Sequence, residues 1–492
     1  MDWNFEKILR MISNKGDGGL LLDGRFGLEK ESVRITQEGD MALTDHPAVF
    51  GDKFTNPYIT TDFSESQIEI ITPPLATIDE TYKFLVEKQL EVENGLEDEL
   101  LWPLSMPPRL PEEDKIPIAK FQSGKKGSEK EIYRNGLALR YGKKMQLISG
   151  IHYNYSLGEK LIDFLHDNFD STADKDGFKN QLYLILTRNY LRYRWLLIYL
   201  FGASPAADRT YDPVIFQELR IVRKCCPECC TRLKDYKRYA VSLRVSRFGY
   251  SSALQRKYTV SYNSLVGYIN DIRTLLATKS RKYERLEIYK SGTQLQLNSN
   301  VLQRDSEYYS SVRFKQTLEE NETQIDALEK RGIKYIELRI LDLNPYEKTG
   351  VGLNQLRFMH VFVLYCLFSC SELINPEEYQ IINANHHAAA LFGRRDGLKL
   401  NRTQGGLIPL RDWSSEIFKD LKAIAWLIDE YLGEELYVPV IDVEYEKVMN
   451  AGLLPSSKII SEMAENDESF IDFGVRRALI NKNICREVLN AY

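Results

Sequence analysis

Five stretches of the sequence carry a polar face built from carboxylates, amides, histidine or arginine: Glu29/Glu31, Glu65/Gln67/Glu69, Gln146/His152/Asn154, Gln294/Gln296/Asn298/Asn300 and Glu337/Arg339. In a β-strand alternate side chains point to opposite faces, so each set shares one face while apolar residues such as Phe26, Leu28, Ile68, Ile70, Leu338 and Ile340 take the other. Asp62 lies just ahead of the second stretch, close enough to fold back over its acidic face. One such strand alone is an ordinary wet face. Five together are not, because solvated sheet faces mix in lysine, serine and threonine, and lysine is nearly absent here. If the strands form one curved sheet, their polar faces line a single concave pocket, and its glutamates and Asp62 repel each other unless cations bind. Hard divalent cations take oxygen ligands, and magnesium in particular is shared between protein carboxylates and substrate phosphates. A histidine among the carboxylates completes such a site or tolerates manganese. The chemistry implied is a multi-magnesium nucleoside triphosphate site.

Standard nucleotide signatures are absent. Gly124-Lys-Lys-Gly127 is not a phosphate-binding G-x-x-x-x-G-K-[ST] loop, no dinucleotide G-x-G-x-x-G follows a strand, and there is no H-E-x-x-H. Phosphates would be met by metal ions and arginines, for which Arg134, Arg140, Arg244, Arg313 and Arg339 are candidates, since guanidinium forks match phosphate and carboxylate geometry. His386-His387 sits in a polar segment and reads as surface. Four of the seven cysteines crowd into Cys225-Cys-Pro-Glu-Cys-Cys230. A zinc site would need a second ligand pair at a distance, so a redox-active or incidental loop is the better reading. Cys366 and Cys370 are spaced i,i+4 in an apolar helix and read as core.

The elements that must position these groups follow from periodicity. Strands are expected over Gly24–Ile35, Lys144–Leu157, Ala240–Ser246 with Arg244, Thr293–Leu302 and Ile333–Leu341, and the stretch from Ile59 is expected to start as a loop and end as a strand that Thr72-Pro-Pro74 stops. Helices are expected over 4–14, 78–94, 128–141, 178–201 and 258–278, and through most of the last 120 residues. Strands interspersed irregularly with helices favour an α+β fold over a βαβ series. With no linker, repeat or low-complexity segment, the 492 residues read as one catalytic unit. Its core would be residues 1–370, with a mostly helical part, 371–492, packed on it. Lys+Arg of 65 against Asp+Glu of 70 gives a net charge of −5, which offers no support for nucleic-acid or membrane-surface binding. The N-terminus lacks a basic region followed by an apolar run. The apolar segment Leu182–Phe201 carries Arg188, Arg192 and Arg194, and Phe358–Cys370 falls short of the about 20 residues a membrane span takes. The expectation is a cytoplasmic protein.

The motifs themselves carry a resemblance. Gly27-Leu-Glu-Lys-Glu-Ser-Val-Arg34, Thr60-Thr-Asp-Phe-Ser-Glu-Ser-Gln-Ile-Glu69, Trp102-Pro-Leu-Ser-Met-Pro107, Tyr133-Arg-Asn-Gly-Leu137, Met145-Gln-Leu-Ile-Ser-Gly-Ile-His-Tyr-Asn154, Phe201-Gly-Ala-Ser-Pro205, Leu297-Asn-Ser-Asn-Val-Leu-Gln303 and Tyr335-Ile-Glu-Leu-Arg339 with Asp342 resemble, in order, the proteobacterial-type glutamate–cysteine ligase family. The resemblance implies a glutamine synthetase-like core, a curved antiparallel sheet forming a funnel with helices outside. It implies an ATP-consuming ligation of the γ-carboxylate of L-glutamate to the amino group of L-cysteine through a γ-glutamyl phosphate, the first step of glutathione biosynthesis. A related ligase using a different amine is the alternative.

Matching positions imply Glu29, Glu31, Asp62, Glu69, His152 and Glu337 around Mg2+ (or Mn2+), and Arg134 and Arg339 at phosphate or the γ-carboxyl. Arg313 and Asn298 would lie toward ATP. Gln146, Asn154 and Arg244 would hold the amino acids, and Phe63, Tyr133, Tyr250 and Tyr309 would form the cysteine pocket. Asp62 or Glu65 could serve as the base, and feedback inhibition by glutathione is a further family expectation. The cysteine cluster is a departure from the family pattern. Because the sequence ends at Tyr492, without the ATP-grasp domain of bifunctional relatives, the reaction is expected to stop at γ-glutamylcysteine.

Overall fold

The sheet is organised around its longest strand. In the computed structural model, which describes residues 3–121, 124–169, 174–403 and 405–490, the strands in chain order are β1 (Gly24–Ile35), β2 (Ile59–Thr60), β3 (Gln67–Ile71), β4 (Leu100–Leu101), β5 (Ile151–Leu157), β6 (Tyr289–Lys290), β7 (Thr293–Gln294), β8 (Val312–Lys315), β9 (Tyr335–Leu341), β10 (Lys399–Arg402) and β11 (Gly406–Pro409). Met1, Asp2 and Tyr492, on which the expectations about the chain ends bear, lie outside the described residues. The main sheet runs β2-β3-β1-β5-β9-β8, with β4 against β1, and its pairings are antiparallel. The fold is therefore mixed, an antiparallel sheet with helices, as the irregular alternation of patterns predicts.

The apolar face of this sheet, with Phe26, Leu28, Ile68, Ile70, Tyr153, Tyr155, Ile336 and Leu338, is buried in the larger core cluster. Fully burying each such side chain contributes roughly 1.5–3 kcal/mol. Two helices dominate that cluster, Lys175–Phe201 and Leu353–Phe368, both buried around most of their circumference. Lys30 also points to the apolar side, where its ammonium hydrogen-bonds Gln89 of the helix Ile78–Gly95. That helix starts on a capping box between Thr77 and Glu80, which satisfies two backbone donors at once. A second cluster around Val33, Phe63, Trp102, Met106 and Leu147 closes the far end of β1.

Register brings the polar residues into one row. Glu31 pairs with Glu69, Glu29 with His152, Asn154 with Glu337, and Arg313 with Glu337. The β5–β9 register shifts between Ile151 and Tyr153, the kind of irregularity that re-aims a side chain beside a site. His152 is the residue within that shift.

Three expected strands differ. Gln146 lies in a 3-10 turn, Lys144–Leu147, and the strand begins only at Ile151. Arg244 lies in a loop tied to the fold by an isolated bridge between Ser204 and Ser242. The 293–302 segment leaves strand geometry after Gln294, because its amides bond locally: Asn298 to the Gln303 carbonyl, Asn300 to that of Leu276, and Gln296 to those of Tyr283 and Leu286. Asn and Gln side chains of this kind compete with the ladder. The strand β8 was not anticipated. The helix expected from residue 258 starts at Leu265, capped by the Ser264 hydroxyl. The described residues from 373 onward are mostly helical, with β10 paired to β11. Among the described residues no helix is long and apolar enough to cross a membrane.

Candidate active site

The acidic row divides into two corners. In the first, Glu29 accepts a hydrogen bond from Asn154 Nδ2 (2.9 Å) and lies 2.9 Å from His152 Nδ1. Ligand atoms of Glu29, His152 and Glu337 all fall within 4.8 Å of one another. Glu337 is surrounded by cations: Lys315 at 2.5 Å, Arg339 at 2.5 Å and Arg313 at 3.8 Å. Burial alone would raise its pKa, but Lys315, Arg339 and Arg313 hold it well below the usual carboxylate range. Burial, reinforced by Arg339, lowers the pKa of His152 and keeps the ring neutral, the form that can ligate a metal.

The second corner holds Glu31, Glu69 and Asp62. Burial, and next the charge of Asp62, push Glu31 up to about 8. Burial, Asp62, Glu29 and Glu31 push Glu69 well above its ordinary value. Glu31 has His152 Nε2 at 3.7 Å. A group of carboxylates this deficient in positive charge, with Glu31 buried and Asp62 and Glu69 half-buried, suits a hard divalent cation, which supplies the missing charge and takes oxygen ligands. The neutral His152 and the Asn154 amide oxygen, buried and without a hydrogen-bond partner, add further donors. The residues present fit the expected metal.

Asp62 is placed by its neighbours. Gln67 Oε1 accepts from the backbone N–H groups of Phe63 (3.1 Å) and Ser64 (3.0 Å), which fixes the loop carrying Asp62. Arg134, on the helix Gly124–Tyr141, donates through Nε to the Asp62 carbonyl and lies over the Phe121 ring at 4.7 Å.

From Glu31, His152 and Arg339 a cavity of about 410 Å3 runs along the sheet toward the helix Pro376–Phe392. Tyr250 and Tyr309 line it, edge to face at 4.5 Å, and Gln146 Nε2 donates to the Tyr309 hydroxyl at 3.0 Å. The Arg244 guanidinium lies over Gly150, where a Cβ would fall 2.1 Å from Nη2, so this close approach requires glycine. Asp342 faces Arg244 at 3.9 Å.

Glu65 and Arg140 stand elsewhere, and other expected residues have packing or polar partners of their own. Glu65 precedes β3 and leaves the acidic face. Lys53 Nζ and the backbone N–H groups of His46 and Lys120 all donate to it (2.5, 2.9 and 2.6 Å), so it ties two loops together and is neither base nor ligand. Arg140 is not a phosphate residue either, being buried against Glu307 (3.0 Å) and Gln296 (3.1 Å). Asn298 lies in the irregular segment beside it, its carbonyl bonded to Arg140. Phe63 is buried in the second core cluster, against which Tyr133 and Tyr309 pack. Arg304 sits over the Tyr133 ring at 5.8 Å. Arg313 holds the Ser306 and Tyr308 carbonyls while facing Glu337. His386 is buried rather than superficial, and both it and His387 line the cavity. Lys315 and Arg194, also in or beside the site, were missed. The alternation Val312-Arg-Phe-Lys315 was the signal for the first. Nothing local marks the second among the arginines of its helix. Cys226 and Cys229 are disulfide-linked, with Cys225 exposed and Cys230 buried. Cys366 is core, and Cys370 follows its helix.

Comparison with known proteins adds a consistent picture. The family described as glutamate-cysteine ligase matches residues 9–389. The chain is 51% identical over 479 residues to a glutamate–cysteine ligase of Clostridium acetobutylicum, covering 97% of this chain and 100% of that one. It is 39% identical to one of Pseudomonas putida, covering 95% and 87%. A crystal structure of a glutamate–cysteine ligase from Francisella tularensis in complex with AMP superposes with a TM-score of 0.84 at 31% identity, covering 94% of this chain and 89% of that one. A bifunctional glutathione synthetase from Pasteurella multocida superposes with a TM-score of 0.75 at 27% identity, covering 97% of this chain and 55% of that one.

Proposed function

The chain belongs to the glutamate–cysteine ligase family, and from that premise we propose how its cleft joins L-glutamate to L-cysteine at the expense of ATP, the first step of glutathione biosynthesis. The observation that carries the reading is the continuity of the acidic row, Arg339 and the tyrosine-lined cavity. One end suits a metal–triphosphate and the other an amino acid. In the first step glutamate's γ-carboxylate attacks the γ-phosphorus of ATP, giving γ-glutamyl phosphate and ADP. Arg339 and Arg134 neutralise charge on the transferring phosphoryl group, with Arg313 toward the nucleotide. In the second the amine of cysteine, having lost a proton, attacks the acyl carbon and expels phosphate. A carboxylate free of metal takes that proton, a role open to Asp62 when no metal engages it, since three donors occupy Glu65. Arg339 stabilises the tetrahedral oxyanion.

Glu29, Glu31, Asp62, Glu69, His152 and Glu337 would hold Mg2+, or Mn2+, which supplies charge neutralisation at the phosphates when bound. Gln146, Asn154 and Arg244 orient the amino acids, and Phe63, Tyr133, Tyr250 and Tyr309 shape the thiol pocket. On this reading the sheet is a funnel of the glutamine synthetase kind, the whole chain acts as one catalytic unit in the cytoplasm, and glutathione inhibits by competing with glutamate. The test is ADP release with ATP, glutamate and a panel of amines. Cysteine should give the highest rate. A rate with cysteine no greater than with glutamate alone overturns the assignment, and a higher rate with another amine selects a related ligase.

A further inference from the structure

The cysteine cluster lies outside the reaction scheme, yet the fold ties it to the cavity wall. Cys226 caps the helix Asp212–Cys225, and Cys229 lies on the next helix, Pro227–Leu233. The disulfide between them pins the two helices together, and the Cys229 backbone N–H donates to Cys226 Sγ at 3.2 Å. Cys229 is exposed and Cys226 half-buried, so a small reagent reaches the bond from solvent. In a reducing compartment such a disulfide is transient and serves exchange or sensing.

The surrounding charge selects the reagent. Between residues 220 and 238 the sequence places seven basic residues against two acidic ones, Glu228 and Asp235. Arg220, Arg223, Lys224, Lys234, Lys237 and Arg238 are exposed, and among the described residues none of these six forms an ion pair. Cations beside a cysteine favour its thiolate, and an unbalanced positive surface concentrates small anions. A thiol with a net negative charge is therefore preferred over a neutral or cationic one.

Contacts run inward from the cluster. Cys230, next to Cys229, is buried, and its thiol donates to the Leu219 carbonyl at 3.6 Å. The adjacent Glu218 accepts from Arg247 Nε at 2.8 Å and from Arg256 Nη2 at 2.7 Å. Both arginines line the catalytic cavity, as does Tyr250 between them in sequence.

We propose that the Cys226–Cys229 disulfide exchanges with small anionic thiols and that its oxidised form holds the cavity wall in place through Glu218. A thiolate attacks the exposed Cys229 sulfur, a mixed disulfide forms, and Cys226 leaves as its thiolate. A second thiolate attacks the small-molecule sulfur of that mixed disulfide and releases Cys229. The small thiols leave as their disulfide, having given the protein its electron pair, and the two cysteines take up the protons those thiols lost. A γ-glutamyl thiol has one more carboxylate than ammonium and belongs to the preferred class. That the protein meets such a thiol as its own product rests on the ligase reading, whereas the exchange itself does not.

The experiment uses the full chain with the disulfide formed. Reduction by γ-glutamylcysteine and by the cationic thiol cysteamine is compared at equal thiolate concentration, by alkylation and mass spectrometry of the peptide holding Cys226 and Cys229. The anionic thiol should react about tenfold faster at low salt. The ratio should approach one at about 1 M salt, where screening acts within about 3 Å. Replacing both Arg223→Glu and Lys224→Glu should remove the preference. Amides of residues 246–256 should exchange hydrogen about fivefold faster once a phosphine has reduced the protein. Replacing both Cys226→Ser and Cys229→Ser should give the faster exchange without reductant, and Glu218→Gln should give it in both redox states. Equal rates for the two thiols at low salt, or the same amide exchange in both states, overturns the proposal while leaving the ligase reading intact. If no ADP is released with glutamate and cysteine, the ligase reading fails, and the thiol rates and amide exchange still decide the site.

Discussion

Two buried clusters in this protein use the same residue types to opposite ends. At Arg140, the guanidinium meets Glu307, Gln296 and the Asn298 carbonyl, while Glu307 also accepts from the Tyr141 hydroxyl and the Gln303 backbone N–H. Both side chains of the ion pair are fully inaccessible. Every charge there is answered, so the cluster locks the 296–307 segment to the helix Gly124–Tyr141 and leaves nothing for a ligand. At Glu31, Glu69 and Asp62 the charges are of one sign, and the pKa values of Glu31 and Glu69 rise accordingly. Burial of charge is common to both. The imbalance is confined to the second, and imbalance is what a cation or an anionic substrate can correct.

The largest effect expected from breaking this contrast is at Glu69. Glu69→Gln should lower turnover by about 1,000-fold, roughly 4 kcal/mol of transition-state stabilisation, without lowering the melting temperature of the metal-free protein, because it removes repulsion. Turnover close to wild type would take Glu69 out of the metal site. Glu307→Gln should do the reverse. It strands the Arg140 charge and should cost about 3 kcal/mol of stability, read as a fall in the denaturant midpoint.

Acidity offers a third probe. Because the folded value of Glu31 is raised to about 8 from an ordinary 4.5, this group binds more proton in the native state than in the unfolded chain across that window. Its contribution to the stability of the metal-free protein, read as the difference between wild type and Glu31→Gln, should therefore fall as pH rises from about 4.5 to 8, by an amount on the order of a few kcal/mol. Magnesium should restore it at the alkaline end and release protons on binding, measurable calorimetrically in buffers of different ionisation enthalpy. A difference between the two proteins that rises in favour of wild type over that range would contradict the charge imbalance. The smallest effect is expected at the exposed Arg273–Glu329 pair, where Glu329→Gln should leave the melting temperature unchanged within error, since solvent already answers both charges.

Much of this was legible in the sequence because it is local. Period-two alternation located β1 and β9 and assigned Glu29, Glu31, Glu337 and Arg339 to one face. The ordered motifs identified the family. What sequence could not supply was the pairing of distant groups. Glu65 shares the parity of Glu69, yet the chain turns before β3 and three donors from two loops claim its carboxylate. Gln296 and Asn298 alternate like a strand, yet their amides bond backbone groups nearby. His386 looked superficial in a polar segment until the packing of its helix turned it into the cavity. Arg192 and Arg194 are two residues apart on one helix, and only the tertiary structure gives Glu378 to the first and leaves the second without an acid. The sequence by itself determined which faces are polar and what reaction family they serve, because alternation is a property of neighbouring residues. Which charges end balanced and which end wanting was decided by the fold, because electrostatic balance depends on distances between residues far apart in the chain.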